Sequence, residues 1–249
     1  MKLFKSLLDI IYPPRCLICK VFAWDDRIDI DGVKVSICKG CYANFQPVSS
    51  PLCPICGRPF MSGIDKDHIC EECLRKRPYY DAAAAPYLYE GAVRTAIYQF
   101  KYGCKRTMGD ALGPLLARFA KTWTHQANDF LTVPVPLHAK RLRNRGFNQS
   151  LLLAAHVARR LQSDLDFLSL KRIKYTLPQT GLKRDERRKN VWRAFQVVQP
   201  AVFKKRDILL VDDVATTGNT LNECARVLKR AGGRKVFCLV LARATIPWN

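Results

Sequence analysis

Eight of the eleven cysteines fall into four C-x-x-C pairs, Cys16/Cys19, Cys38/Cys41, Cys53/Cys56 and Cys70/Cys73. Two thiolates three positions apart share one tight turn and reach one ion, giving half of a tetrahedral site that a second such turn completes. The first two pairs are separated by residues 20–37, a spacer within the range of a four-cysteine zinc ribbon, and the last two by residues 57–69, a slightly short one. Sequential pairing predicts two zinc ions, and an interleaved arrangement fits the same sequence. His68 is either a replacement ligand or a solvated loop residue. A disulfide framework conflicts with a reducing compartment, and four pairs in one short segment exceed the needs of thioredoxin-like redox chemistry. Four protein ligands close each site, so the expected zinc is structural and supplies much of the folding energy of the segment. Gly57, directly after Cys56, suits the positive φ of such a turn, and Asp31-Gly32 between apolar alternations is a hairpin signal.

The second constellation is Ile208-Leu-Leu-Val-Asp-Asp-Val-Ala-Thr-Thr-Gly-Asn-Thr-Leu221. A buried strand ends in two acids, and a small, hydroxyl-rich turn then opens a helix. At the carboxyl end of a parallel strand this turn faces the crevice where open α/β sheets bind ligands. The backbone N–H groups of Thr216 to Thr220, with the hydroxyls of Thr216, Thr217 and Thr220, suit one phosphate at a helix start. Asp212 and Asp213 would repel that phosphate; they suit sugar hydroxyls, or a divalent ion bridging sugar and pyrophosphate. A capped turn with merely solvated acids is the plainer alternative.

The elements that must position these groups alternate. Strands are expected within 82–89, at 130–135, 208–211 and 235–241, and helices near 91–102, 108–121, 148–161 and 220–231. The class is α/β, a mostly parallel sheet with helices on both faces. Cys104, Cys224 and Cys238 read as small apolar residues. Residues 1–11 read as a poor signal peptide and a fair short amphipathic helix, and no apolar run approaches the roughly 18–20 residues of a membrane span. The expectation is a cytoplasmic protein with no membrane insertion.

Charge separates the chain in two. Residues 1–81 carry 12 Lys and Arg against 10 Asp and Glu, whereas residues 82–249 carry 30 against 11. Within the second segment, residues 138–193 hold 15 basic side chains and 4 acidic ones. A basic surface can serve solubility alone, but a single-sign field of this size points to polyanionic partners, phosphates of a small molecule or of nucleic acid. Arg143, Arg145, Lys183, Arg184, Arg187, Arg188 and Lys189 are the candidate nucleic-acid contacts. Phe147, Tyr175 and Trp192 lie among the cations; core packing takes precedence for Phe147 and Trp192, and base stacking is the alternative.

The 208–221 segment resembles the 5-phosphoribosyl-1-pyrophosphate (PRPP) signature of type I phosphoribosyltransferases. The resemblance implies that Asp212 and Asp213 hold the ribose hydroxyls, and that Ala215, Thr216, Thr217, Gly218, Asn219 and Thr220 hold the 5′-phosphate of PRPP bound with Mg²⁺. Thr216 stands where some purine-salvage members carry an aspartate, so base-assisted transfer to a purine is not implied. Val133-Pro-Val-Pro136, Arg141…Arg145-Gly-Phe-Asn-Gln149, Pro178-Gln-Thr-Gly181, Arg184…Arg188-Lys-Asn190…Ala194-Phe195 and Phe100-Lys-Tyr-Gly103 together resemble the ComF family. That family joins a cysteine-rich zinc module, here residues 1–80, to a phosphoribosyltransferase-like domain, here 81–249. It includes competence proteins of DNA uptake and GntX-type relatives. By the same resemblance Lys140 and Arg141 belong to the pyrophosphate loop, and residues 174–190 match the loop that closes over PRPP, mobile when empty. Two functions follow as expectations: a competence protein that binds single-stranded DNA and carries a PRPP-type pocket, or an active Mg²⁺-dependent phosphoribosyltransferase whose acceptor the sequence does not specify.

Overall fold

The computed structural model describes residues 13–60, 66–103, 106–124, 129–176 and 191–245, and the amphipathic helix expected over residues 1–11 lies outside them. The cysteine-rich segment opens with an antiparallel hairpin, β1 (Arg27–Ile30) and β2 (Val33–Cys38), followed by the short helices α1 (Lys39–Ala43) and α2 (Glu71–Arg75). Its two-residue loop is Asp31-Gly32, with φ of 52° and 83°. Two left-handed residues match the twist of the flanking strands, which is what the Asp-Gly dipeptide predicts.

The remainder is built on one sheet. Strands β3 (Ala82–Ala84), β4 (Tyr87–Leu88), β5 (Phe130–Pro134), β6 (Asp164–Leu165), β9 (Asp207–Ala215) and β10 (Val236–Arg243) form a six-stranded sheet. Its order is β3-β10-β9-β5-β6, with β4 also on β10, and every described pairing in it is parallel. A separate antiparallel pair, β7 (Leu170–Arg172) with β8 (Phe195–Val197), flanks it. The helices are α3 (Gly91–Tyr102), α4 (Thr107–Trp123), α5 (Ala139–Arg145), α6 (Gln149–Leu161) and α7 (Asn219–Arg230).

Central strands β5 and β9 are buried almost throughout because helices cover both faces. On one face, Leu209, Val211, Leu239 and Leu241 pack with Ile97, Leu112, Leu116 and Leu153 of α3, α4 and α6. On the other, Leu210, Ile208 and Val240 pack with Leu221, Cys224 and Leu228 of α7. Cys224 and Cys238 are buried apolar fillers, as expected; Cys104 lies outside the described residues.

The cysteine-rich segment is built into both cores. Cys16, Ile18 and Ile37 belong to the α3–α4–α6 core, while Cys53, Ile55, Cys56, Cys70 and Cys73 belong to the α7 core. Backbone bonds stitch the same segment to the sheet edge: Ala83 N–H donates to Ile55 C=O at 2.7 Å, and Leu88 N–H to Gln46 C=O at 2.8 Å.

Two elements depart from expectation. Strand β9 does not stop at Val211 but continues through both acids to Ala215, because parallel pairing with β10 persists from Ile208 to Ala215. The run Ala139–Arg145 is helical despite its charge. His138 Nδ1 caps it by accepting from Lys140 N–H at 3.2 Å, and Gly146 ends it at φ 77°.

Candidate functional site

The cysteine turns assemble as two sets of four. Cys16, Cys19, Cys38 and Cys41 form one and Cys53, Cys56, Cys70 and Cys73 the other, with all sulfurs of a set within 4.8 Å of one another. The arrangement is sequential, not interleaved. A tetrahedral zinc–thiolate centre with Zn–S near 2.3 Å requires sulfurs about 3.8 Å apart. Cys19 and Cys38 lie at 3.8 Å, and Cys56 and Cys70 at 3.7 Å. Backbone N–H groups of Cys38, Cys41 and Cys70 point at the sulfurs of Cys16, Cys38 and Cys53, the outer-shell bonding that holds such ligands. The donor sets therefore fit two structural zinc ions. His68 stands outside both; it stacks on Phe60 with centroids 3.8 Å apart.

The second constellation lies at the carboxyl end of the sheet. A cavity of about 740 Å³ is lined by Asp212, Asp213 and Val214 from β9, Thr216 from the loop after it and Thr220 from the first turn of α7. Helix α3 contributes Arg94, Tyr98, Lys101 and Tyr102, α5 contributes Arg141 and Arg145, and β7 contributes Arg172. Five cations thus face two acids. Asp212 accepts from the Ser150 hydroxyl at 2.7 Å and from Asp213 N–H at 2.9 Å. Asp213 pairs with the Lys101 ammonium at 2.7 Å. Burial, reinforced by the adjacent Asp213, pushes the Asp212 carboxyl up to about 7. Burial works against the Lys101 ammonium, but Asp213 and Asp212 outweigh it and hold its pKa above the ordinary value.

A brace of hydrogen bonds sets this corner, and it comes from the Arg145-Gly-Phe-Asn-Gln149 run. Arg145 donates to Gln149 Oε1 at 3.0 Å, and Gln149 Nε2 to Phe100 C=O at 3.4 Å. Asn148 Oδ1 caps α6 by accepting from Ser150 N–H, while its Nδ2 donates to Val135 C=O. Phe147 is partly buried, stacks on Phe100 at 5.7 Å and packs against the core. The motif thereby joins α3, α5, α6 and the end of β5 around Ser150 and Asp212.

The loop after the acids turns at Gly218, which precedes α7 with φ 73°. Ala215 is buried behind the loop, and Asn219 begins α7. The Thr217 hydroxyl is buried without a hydrogen-bond partner. Arg243 lies beside Gly218: a Cβ there would stand 3.8 Å from its Nη1 and 3.4 Å from the Tyr80 hydroxyl. Arg243 is only 3% exposed, and its Nε and Nη1 have no partner. Two unsatisfied N–H groups on the buried Arg243 guanidinium, together with the unsatisfied Thr217 hydroxyl, make this corner suited to an anion.

Lys140 and Arg143 are exposed on α5, outside the cavity. Lys140 lies over the Tyr175 ring at 4.9 Å. Arg141, at 5.9 Å from the same ring, donates to Thr176 C=O. Lys183, Arg184, Arg187, Arg188 and Lys189 lie outside the described residues, as does the Pro178–Gly181 motif and most of the expected closing loop. Trp192 is half exposed over Arg226 rather than in the core.

Sequence reasoning assigned no site role to Arg94, Tyr98, Ser150, Arg172 or Arg243, and quoted Lys101 and Tyr102 only as part of the Phe100-Lys-Tyr-Gly103 family motif. The α3 residues do leave a signal, since spacings of four, three and one put them on one helical face. Nothing local in sequence marks Arg172 or Arg243.

Residues 7–74 match the double zinc ribbon domain family, and residues 148–248 match the phosphoribosyl transferase domain family. Competence protein F of Haemophilus influenzae is 33% identical over 237 residues, covering 92% of this chain and 97% of that protein. The chain belongs to the ComF family. Two further ComF relatives agree. DNA utilization protein YhgH of Escherichia coli K12 is 32% identical over 82% of this chain and 89% of its own length. Competence protein ComFC of Bacillus subtilis is 26% identical over 79% of each chain. The ComF architecture of zinc ribbons joined to a phosphoribosyltransferase-type sheet agrees with the geometry above. Among the described residues no helix is long and apolar enough to cross a membrane.

Proposed function

We propose that this protein acts in DNA uptake, as the names of its relatives suggest, by holding single-stranded DNA across the mouth of a pocket that binds PRPP or a similar sugar phosphate. The observation that carries the DNA part is two groups of exposed rings and cations, of which Tyr98, Tyr102, Arg141 and Arg145 line the cavity. Lys140 and Arg141 flank Tyr175, Arg145 lies over Tyr102 at 5.2 Å, and Tyr102 neighbours Tyr98 at 4.9 Å. Tyr98, Tyr102 and Tyr175 are 61%, 54% and 43% exposed, far from the burial expected of core rings. Single-stranded nucleic acid is bound by this combination, a cationic track with rings on which bases stack. Lys183, Arg184, Arg187, Arg188 and Lys189 would extend the track.

In the pocket, Asp212 and Asp213 would meet ribose hydroxyls, the 215–220 loop the 5′-phosphate, and Arg141 the pyrophosphate, whose charge Mg²⁺ would share. The reading places the protein in the cytoplasm, where zinc thiolates remain reduced.

Fluorescence anisotropy with a labelled oligonucleotide tests the DNA part. Log K should fall linearly with log salt, by about 0.7 for each phosphate contacted. Binding that ignores salt, or no binding at low ionic strength, contradicts it.

A second reading is a working phosphoribosyltransferase, favoured by the five cations around the cavity. Pyrophosphate would leave ribose C1 as an acceptor nucleophile bonds there, and the cations would stabilise the charge developing on the leaving group. Pyrophosphate released from PRPP only when oligonucleotide is present would establish it.

A further inference from the structure

Lys101 contacts the acid that this family resemblance reserves for the ligand. Its ammonium lies 2.7 Å from Asp213 Oδ1, and both side chains are largely buried, 21% and 8% exposed. Asp212 Oδ1 is already engaged by the Ser150 hydroxyl and by Asp213 N–H. A divalent cation on this pair would need oxygen ligands at about 2.1 Å in octahedral array. Even on the second oxygen of Asp213 it would stand on the carboxylate that already holds the Lys101 ammonium, and two cations within a few ångströms of each other in a partly buried site repel strongly. The acid pair therefore accommodates one positive partner, and the chain supplies it from α3. The rest of the cavity adds Arg94, Arg141, Arg145 and Arg172, so an entering phosphate meets excess positive charge without any metal.

We propose that Lys101 is the resident cation of the acid pair, occupying the place of a divalent metal, so that a sugar monophosphate binds independently of Mg²⁺. This rests on the sugar-phosphate reading of the pocket. Mg²⁺ then enters only as a partner of the pyrophosphate group and never as a ligand of Asp213.

The test uses ribose 5-phosphate, which lacks pyrophosphate, and the full chain as wild type, Lys101→Met and Lys101→Arg. Calorimetry is run in EDTA and again with millimolar Mg²⁺. Wild-type affinity should change less than two-fold between the two conditions. Lys101→Met should bind about ten-fold more weakly in EDTA and recover with Mg²⁺, whereas Lys101→Arg should resemble wild type. A wild type as dependent on Mg²⁺ as Lys101→Met, or a Met variant that Mg²⁺ does not rescue, overturns the proposal.

A second arm needs no sugar. Mn²⁺ titration followed by electron paramagnetic resonance should reveal one site in folded Lys101→Met that wild type lacks and that adding Asp213→Asn removes. Equal Mn²⁺ binding by wild type and Lys101→Met, or none by either, overturns the proposal. The expected Mn²⁺ pattern without ribose 5-phosphate binding by any variant sinks the sugar-phosphate reading and leaves the role of Lys101 standing.

Discussion

Gly57 of the third C-x-x-C turn lies directly against the backbone of Ala83 in the edge strand. A Cβ on Gly57 would stand 2.5 Å from Ala83 C=O, and the residue holds φ at 67°. Both steric and conformational reasons thus demand glycine, at the point where the second zinc centre abuts the sheet. Gly57→Ala should destabilise the protein by about 2–4 kcal/mol, because the neighbouring atom is backbone and cannot move aside. Urea denaturation measures the loss; a change below about 0.5 kcal/mol would show that the contact is relaxed in solution.

Zinc removal should unfold more than the ribbons. Cys16, Ile18 and Ile37 share a core with Ile97, Leu112 and Leu116, and the second cysteine set shares one with Leu210 and Leu221. Stripping the metal with a strong chelator should lower the melting temperature of the whole chain in a single transition, since metal binding is folding free energy here. A metal-free protein whose sheet melts unchanged, as a separate transition, contradicts this.

Asp212 makes stability depend on pH. Its folded pKa, about 7, lies above the ordinary 3.8, so between those values the folded state binds more protons than the unfolded one. Its contribution therefore falls as pH rises through that window and is level above it. Asp212→Asn should stabilise the protein at pH 8 by about 1 kcal/mol, allowing for the partial exposure of the carboxylate. The difference should vanish near pH 4. Thermal melts of both proteins across pH 4–8 decide it, and a gap that widens towards acid has the wrong sign.

Tyr102 and Arg145 should separate by their signatures on DNA. Arg145→Ala should weaken single-strand binding and make the salt slope shallower by roughly 0.7, the mark of one lost phosphate contact. Tyr102→Ala should cost about 1–3 kcal/mol, the worth of one stacked base, with the slope unchanged. The same slope change from both substitutions would remove the stacking role.

Much of the scaffold was legible because its signals are local. The Asp31-Gly32 turn and the alternation of helices and strands come from neighbouring residues. The grouping of cysteines into two sets is tertiary, and the structure decides between arrangements the spacing left open. Strand β9 ran past its expected end because pairing with β10, not apolar pattern, keeps Asp212 and Asp213 extended. The site was less legible. The corner formed by Asp212 and the 215–220 loop stood out as one stretch of sequence. Lys101 is brought to Asp213 only when α3 packs on the sheet, and Arg243 reaches Gly218 from the end of another strand. The helical spacing in α3 and the Phe100-Lys-Tyr-Gly103 motif mark Lys101 as a residue, but its pairing with Asp213, like that of Arg243 with Gly218, is not written in neighbouring residues.

The most direct test of the account is calorimetric titration of PRPP with Mg²⁺ into wild type and Asp212→Ala, with oligonucleotide affinity measured in parallel. One saturable site should appear in wild type and weaken at least ten-fold in the variant, while single-strand affinity stays within two-fold. Equal PRPP affinity in the two proteins, or no PRPP binding by wild type, would contradict the assignment of this corner as a sugar-phosphate site.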